Sequence, residues 1–311
     1  MKHISAERLS GVWSATPTPF TNRMRIDEVA VKRLVEHHVR LGVKGLFLCG
    51  TCGEGPWMPD RERRALVRAA VAAVRGRLVI AVQVTDNSAA RILDNMRSAA
   101  EDGADLAVIA PPFFMVNATP ANVAALYLKA IRGCPLPVGI YDRGFNAAVV
   151  VTDDALRQIY AEPKVILIKD SSANPERMKL ALSMRKVRPT LRLLNGNEFA
   201  CAEYMQAGYD GLLLGGGIFN GLLAGMIVDA VRAGRLGEAD RLQRRMNRLM
   251  WDVYGGKKIA CWMSGLKHLL VKMGLFRTTN NFMNYPLTPA CRKAIARALV
   301  REKEVLFPCK R

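Results

Sequence analysis

Eight short apolar runs recur along this chain, and each is followed by an amphipathic stretch of helical length. Runs of this kind are typical of buried parallel strands. The runs are Gly11-Phe20, Val43-Cys49, Leu78-Val84, Leu106-Ala110, Pro137-Tyr141, Val165-Lys169, Leu191-Leu194 and Gly211-Leu214. The predicted helices lie near 27-41, 60-75, 87-102, 120-132, 152-160, 174-186, 198-207 and 217-233. Eight even strand–helix units predict an α/β fold, a closed (β/α)8 TIM barrel, rather than a doubly wound sheet.

The strand pattern stops near Arg235, and three further helices are predicted after it. These are Gly237-Tyr254, Ile259-Met273 and Thr288-Val305. A length of 311 residues suits a barrel with an appendage. We therefore expect a barrel catalytic domain over residues 1-233 and a C-terminal helical segment over residues 234-311.

Cysteine usage and hydropathy indicate the compartment. The seven cysteines are scattered, and Cys49 and Cys52 have no second pair at zinc-ligand spacing, so reduced thiols in the cytoplasm are expected. The first ten residues carry no signal-peptide core. Gly211 to Val228 is uncharged and long enough for a membrane span, but its six glycines and Asn220 favour a buried strand followed by a buried helix.

The formal net charge is +19, and it is concentrated toward the C-terminus. Residues 231-311 contain eighteen Lys or Arg and five Asp or Glu, a local excess of about 13 positive charges. One interpretation is a nucleic acid or another anionic surface as partner. The other is a set of solvated helix faces whose field favours small anionic substrates. We predict no nucleic-acid partner, because the segment has no recognised binding motif and no interleaved aromatic residues.

Lys169 ends the apolar run Val165-Lys169. Either the strand reaches the surface and the lysine lies in water, or the amine is held partly desolvated and is nucleophilic. Asp170 does not share its face, since neighbouring strand residues point in opposite directions. A desolvated amine at this place can condense with a ketone to form a Schiff base.

In such a barrel the chemistry lies at the carboxyl ends of the strands. Those ends are Thr16-Pro19, Gly50-Glu54, Pro111-Phe114, Tyr141-Arg143, Lys169, Asn195-Glu198 and Gly215-Gly217. None contains histidine, and His37 and His38 are neighbours on the first helix, so the usual imidazole metal ligands are missing. We predict a site without metal or cofactor, built from one amine, one phenol and several backbone donors.

Three of these ends admit more than one interpretation. The turn Gly50-Glu54 could direct backbone N–H groups at an anion, or it could be an ordinary strand-to-helix turn. Tyr141 could be a packed ring or, beside Lys169, a proton relay. Gly215-Gly217 could cradle a phosphate, although a tight turn is preferred.

Gly-Thr-x-Gly-Glu at 50-54, Tyr141 and Ile-Lys-Asp-Ser-Ser at 168-172 together resemble the dihydrodipicolinate synthase and N-acetylneuraminate lyase family. The resemblance covers nearly the whole chain. It implies a class I aldolase-type barrel that acts on a small 2-oxo acid such as pyruvate. It also implies a homo-oligomer, a tetramer of two tight dimers or a dimer.

The resemblance also implies roles for individual residues. Lys169 matches the Schiff-base lysine, and Tyr141 and Thr51 match the residues that relay protons. The positions that match the substrate-binding residues of the family are Cys52, which would hold the carboxylate, and Gly196 and Leu213, which would line the site with their main chain.

The chain departs from the synthases at three positions. Cys52 replaces a hydroxyl residue, Phe114 replaces a tyrosine that reaches the neighbouring subunit's site, and Asn146 replaces an arginine that binds the second substrate. The sequence Tyr141-Asp142-Arg143 is closer to that of the family's sugar-acid aldolases and dehydratases. We expect Arg143, Asn146 and Gln83 to hold such a substrate.

The sequence thus predicts a Schiff-base-forming lyase, whether aldolase, synthase or dehydratase, for a 2-oxo acid of sugar-acid type. Two alternatives remain: a true dihydrodipicolinate synthase, and a barrel that binds 2-oxo acids without turnover.

Overall fold

The computed structural model of the protein describes residues 4–308 and contains a closed barrel of eight parallel strands. The strands are β1 Gly11–Ala15, β2 Gly45–Leu48, β3 Val79–Gln83, β4 Leu106–Ile109, β5 Val138–Asp142, β6 Val165–Asp170, β7 Arg192–Asn195 and β8 Gly211–Leu214. Each strand pairs with its neighbours in chain order, and β1 pairs with β8 to close the barrel. The predicted (β/α)8 barrel is therefore confirmed.

In the described residues, eight α-helices form the outer layer and four more α-helices follow the barrel. The outer helices are α1 Glu28–Arg40, α2 Asp60–Val74, α3 Ala89–Glu101, α4 Pro120–Gly133, α5 Asp153–Ala161, α6 Pro175–Val187, α7 Cys201–Gln206 and α8 Gly217–Arg232. The C-terminal helices are α9 Leu236–Tyr254, α10 Trp262–Lys272, α11 Pro289–Arg301 and α12 Lys303–Leu306. Side-chain caps begin several of them: Thr119, Thr152 and Asn174 each accept a hydrogen bond from a backbone N–H of the first turn.

Two predicted elements differ most from the observed ones. The first strand ends at Ala15 rather than Phe20, because Pro17 and Pro19 have no N–H to continue the ladder. The last predicted helix divides at Glu302, which separates α11 from α12. Glu302 is buried and accepts hydrogen bonds from Arg245 and Arg301, so a charged side chain occupies the break.

The uncharged stretch that begins at Gly211 forms β8 and most of α8, as predicted. Within residues 4–308, no helix has both the length and the apolar character needed to cross a membrane. One hydrophobic cluster runs from the barrel into the C-terminal helices. The division of the chain at residue 233 falls between α8 and α9 and remains a prediction.

A buried ion pair joins the C-terminal segment to the mouth of the barrel. The Nζ of Lys267 on α10 lies 2.5 Å from Glu54 Oε1, and both side chains have no exposed surface. Glu54 Oε2 also accepts from the Phe282 N–H at 2.6 Å, and Lys267 Nζ donates to the Asn280 carbonyl at 2.6 Å. Burial lowers the pKa of Lys267, although Glu54 opposes the shift. The turn after β2 is thus fixed from the far end of the sequence.

Candidate active site

Lys169 lies inside the barrel mouth, not in water. It is the last residue but one of β6, only 5% exposed, and in register with Tyr141 on β5. Its Nζ lies 3.9 Å from the centre of the Tyr141 ring and 4.9 Å from that of Phe47. The two rings meet edge to face at 5.9 Å. The amine therefore lies close to both aromatic rings, which attract a cation and exclude bulk water.

Tyr141 is buried, and its hydroxyl has several polar neighbours. Burial alone would raise the pKa of Tyr141, but the charges of Lys169 and Arg143 and hydrogen bonding to Thr51 and Ser171 together outweigh it. The net result is a pKa below the usual tyrosine value. A phenol with a lowered pKa both gives and takes protons more readily near neutral pH.

The turn after β2 brings Thr51 and Cys52 to this mouth. Gly53 permits it, since a Cβ there would lie 2.9 Å from the Cys49 nitrogen. Cys52 is buried, and its Sγ lies 3.6 Å from the Gly215 carbonyl oxygen. Burial and the nearby Glu198 carboxyl raise the pKa of the Cys52 thiol above its usual range. Cys52 is accordingly a neutral thiol that can donate a weak hydrogen bond.

Gly196 directly follows the last residue of β7, and Leu213 is the last residue but one of β8. A Cβ on Gly196 would lie 1.9 Å from Ser171 Oγ and 3.0 Å from Lys169 Cε, so only glycine leaves room for both side chains. Leu213 lies on β8 in register with Trp13 and is buried. Gly196 thus borders the lysine directly.

The remaining predicted residues lie nearer the solvent. Arg143 is partly buried and acts on Tyr141 through its charge, as described above. Asn146 is exposed and closes a short 3-10 turn, Gly144–Asn146, by donating its N–H to the Arg143 carbonyl at 3.1 Å. Phe114 is 64% exposed on the loop after β4, where its N–H donates to Asn87 Oδ1 at 3.0 Å. Within one chain, Phe114 faces outward.

Glu198 is a site residue to which the sequence assigned no role. Its Oε2 accepts from the Gly216 N–H at 2.5 Å, and its Oε1 accepts from the Tyr254 hydroxyl at 3.2 Å. Burial raises the pKa of Glu198, while the Gly216 N–H, Tyr254 and Lys169 oppose the shift. Because the carboxylate already occupies the Gly216 N–H, this donor is not available to a phosphate, and the geometry agrees with the preferred tight turn. Only its position at the end of β7 could have indicated Glu198.

The described side chains at this mouth are not arranged as a metal-binding site. Among residues 4–308, no group of three or more His, Cys, Asp and Glu side chains is placed to hold a metal ion. The chemistry available to the described side chains is that of an amine, a phenol, a hydroxyl, a thiol and a carboxyl.

Comparison with known proteins identifies the family. The model of the dihydrodipicolinate synthetase family matches residues 8–300. The chain belongs to this family. The relatives from this family are lyases of the class I aldolase type, and this chain is a lyase of the same type.

The chain is similar to relatives of two different activities. A 4-hydroxy-tetrahydrodipicolinate synthase of Xanthomonas campestris pv. campestris is 32% identical over 206 residues, which cover 66% of this chain and 67% of the relative. An N-acetylneuraminate lyase of Salmonella agona is 26% identical over 94% of this chain and 92% of the relative. The crystal structure of dihydrodipicolinate synthase from Thermotoga maritima superposes with a TM-score of 0.86 at 21% identity, covering 95% of this chain and 99% of that one. The last likeness supports the fold alone.

Proposed function

We propose that this chain forms a Schiff base between Lys169 and pyruvate or another 2-oxo acid, and that its natural substrate is of sugar-acid type. The observation that carries the proposal is the buried Lys169 amine, held 3.9 Å from the Tyr141 ring at the carboxyl end of the barrel. A buried amine beside a phenol with a lowered pKa is the pair that imine formation needs.

The reaction begins with the carboxylate of the 2-oxo acid at the backbone N–H groups of Thr51 and Cys52. The Lys169 amine attacks the ketone carbon, and Tyr141 protonates the oxygen. The Tyr141 phenolate takes a proton from the new ammonium nitrogen and passes it to the hydroxyl group, which leaves as water, so that a protonated imine and a phenolate remain. The imine then accepts the electron pair released when a bond at the neighbouring carbon breaks, and the Tyr141 phenolate, with Thr51, takes up the proton that the leaving fragment gives up.

Substrate choice is assigned to Arg143 and Asn146, which lie nearer the solvent, and to Gln83, which is buried at the end of β3. Arg143, Asn146 and Gln83 would hold the hydroxyl-bearing part of the substrate, while Gly196 and Leu213 would line the site with their main chain. Arg143 supports this assignment, since its charge already acts on Tyr141. The alternative of a true synthase would need a cation for a second carboxylate, and Asn146 cannot supply one.

The assembly and the compartment are also part of the proposal. We infer a cytoplasmic homo-oligomer, a dimer or tetramer, in which Phe114 would reach toward the neighbouring subunit. Phe113, Phe114 and Val116 lie exposed on one loop, and an apolar cluster of this kind favours self-association. The described cysteines are all free, in keeping with a reducing compartment. Light scattering after size-exclusion chromatography would give the mass, and a monomer at working concentration would contradict the assembly.

The deciding experiment is reduction with borohydride in the presence of 2-oxo acids, read by intact mass and peptide mapping. Pyruvate should add one three-carbon unit at Lys169, and Lys169→Met should abolish it. Lys164→Met is the matched control, because Lys164 lies just before the same strand at its other end and donates to the Arg132 and Cys134 carbonyls. An adduct on another lysine, or none with any 2-oxo acid, would exclude the proposed chemistry.

A further inference from the structure

Three neighbouring strands end on an Asp or Asn residue in the same row of the barrel. Asp142, Asp170 and Asn195 are the last residues of β5, β6 and β7, and they are paired in register across the sheet. All three are buried. Because strand residues alternate, Asp142 and Asp170 lie on the opposite face from Tyr141 and Lys169, toward the outer helices.

Each of the three side chains holds the turn that follows it. Asp142 Oδ1 accepts from the Gly144 N–H at 2.8 Å, and Asp170 Oδ1 accepts from the Ser172 N–H at 2.9 Å. Asn195 Oδ1 accepts from the Asn197 N–H at 2.7 Å. These are Asx turns, in which the side chain replaces a backbone acceptor and bends the chain.

The residue in the middle of each turn faces the lysine and the tyrosine. Arg143 and Ser171 contribute to the lowered pKa of Tyr141, and Gly196 lies against Ser171 Oγ. The turns also bond to one another across the strands. The Ser171 N–H donates to the Asp142 carbonyl at 2.9 Å, and the Gly196 N–H donates to the Asp170 carbonyl at 2.6 Å. The three turns therefore hold one another in place.

The outer layer fixes the two carboxylates from behind. Tyr209 donates its hydroxyl to Asp170 Oδ2 at 2.7 Å, while Tyr160 donates to Asp142 Oδ2 at 3.4 Å. The buried Arg177 on α6 lies 3.6 Å from the same Asp142 oxygen. Each carboxylate is therefore fixed by the turn on one oxygen and by the outer layer on the other, so it is held in the orientation that the turn needs.

The other titratable groups near Asp142 lie on β6 and on the surrounding helices. Burial raises the pKa of Asp142 and the Asp170 charge adds to the effect, while the Gly144 N–H and Arg177 oppose it. Arg177 also pairs with Asp153 at 3.0 Å. On α4, the buried Tyr127 has a pKa raised by burial and by the Asp142 charge.

We propose that Asp142, Asp170 and Asn195 are positioning residues, which hold Arg143, Ser171 and Gly196 against Tyr141 and Lys169. Their effect on the reaction passes through the turns and not through contact with substrate. The proposal rests on the proposed function, since it takes Tyr141 as the residue that moves protons.

The ionisation of Tyr141 gives a readout that does not depend on turnover. The protein has seven tyrosines, and tyrosinate absorbance titrates with pH. Burial raises the pKa values of five of the others, which separates them from Tyr141: Tyr127, Tyr160, Tyr204, Tyr209 and Tyr254. The difference between the protein and Tyr141→Phe isolates the Tyr141 transition.

The decisive comparison is Asp142→Asn against Asp142→Ala. Both variants remove the charge, but an Asn side chain still accepts from the Gly144 N–H and keeps the turn. The Tyr141 pKa should be higher in the Ala variant than in the Asn variant, because Arg143 leaves the phenol. Imine trapping should be roughly 10–10²-fold slower in the Ala variant, the loss expected from a displaced group. In an Arg143→Gln background the Ala–Asn difference should vanish.

Asp153→Asn is the matched control, because Asp153 contacts the same Arg177 but is half exposed and is not placed to hold a turn at the site. It should leave both readouts unchanged. Equal titrations for Asp142→Asn and Asp142→Ala would overturn the proposal. If Asp142→Ala does not fold, Arg143→Gln and Ser171→Ala must each raise the Tyr141 pKa, and an unchanged value in either would overturn it as well. Absence of trapping in the unaltered protein would refute the proposed function alone, since the titration still tests the turns.

Discussion

Replacing Lys267 with Met tests how the C-terminal helices support the site. The variant leaves the Glu54 carboxylate with no exposed surface and removes the ammonium group 2.5 Å away. Among the described residues, the Phe282 N–H would still donate a hydrogen bond to Glu54, at 2.6 Å. Removing one partner of a buried ion pair costs about 3–5 kcal/mol, since the other charge stays buried without compensation.

The expected loss can be measured by thermal unfolding and by borohydride trapping. For a chain of this size, 3–5 kcal/mol corresponds to a fall of roughly 5–8 °C in the unfolding midpoint. Trapping at Lys169 should also slow below that midpoint, because Glu54 belongs to the same turn as Thr51. Combining Glu54→Gln with Lys267→Met should cost less stability than Lys267→Met alone, because the double variant leaves no buried charge without a partner.

Lys179→Met is the matched control for this variant. Lys179 lies 2.8 Å from Glu176, but both side chains are about 70% exposed, at 71% and 68%. Such a surface pair contributes about 0–1 kcal/mol. A loss in Lys267→Met no larger than that in Lys179→Met would refute the claim that the buried pair supports the turn after β2.

Three further outcomes are expected. Tyr141→Phe should fold normally and form the imine roughly 10²–10⁴-fold more slowly, the usual contribution of a positioned proton donor; unchanged trapping kinetics would remove Tyr141 from the mechanism. A coupled assay with pyruvate and aspartate semialdehyde should give synthase turnover far below about 1 per second, while 2-keto-3-deoxy sugar acids should react; ordinary synthase rates would show that Phe114 and Asn146 matter little. Burial lowers the pKa values of His37 and His38 to about 4 and about 3. Below about pH 6.5 the unfolded chain therefore binds protons that the folded chain does not, and stability should fall by about 1.4 kcal/mol per pH unit for each histidine down to those values; a smaller acid dependence in His37→Gln checks the assignment.

The barrel was predictable because apolar runs and helix-start residues act locally. The strand containing Lys169 is recognisable from Val165-Lys169 alone, and the alternation of strand residues places Asp170 on the other face. Parallel pairing then brings the ends of β5 and β6 together, so Tyr141 beside Lys169 follows from topology. These inferences need only residues within one strand–helix unit of each other.

Contacts between distant parts of the chain were not predictable in the same way. Glu54 meets Lys267, and Glu198 meets Tyr254, across separations of 213 and 56 residues. Nothing in the local pattern of α9 or α10 says which barrel loop they cover. The burial of Glu302 was unpredictable for the same reason. A charged residue in a helical pattern is expected to be exposed, but hydrogen bonds from Arg245 and Arg301 allow Glu302 to be buried between α11 and α12.

Arg143 and Ser171 can make up for the hydroxyl that Phe114 lacks. The family resemblance implies a third hydroxyl near Tyr141, from a tyrosine of the neighbouring subunit, and Phe114 has none. Here the charge of Arg143 and the hydroxyl of Ser171 act on Tyr141 instead, and both residues lie in turns that begin at Asp142 and Asp170. A cation lowers the phenol's pKa without itself exchanging protons. A relay that lost one hydroxyl could therefore keep a reactive tyrosine, provided that the Asp142 turn keeps Arg143 in place.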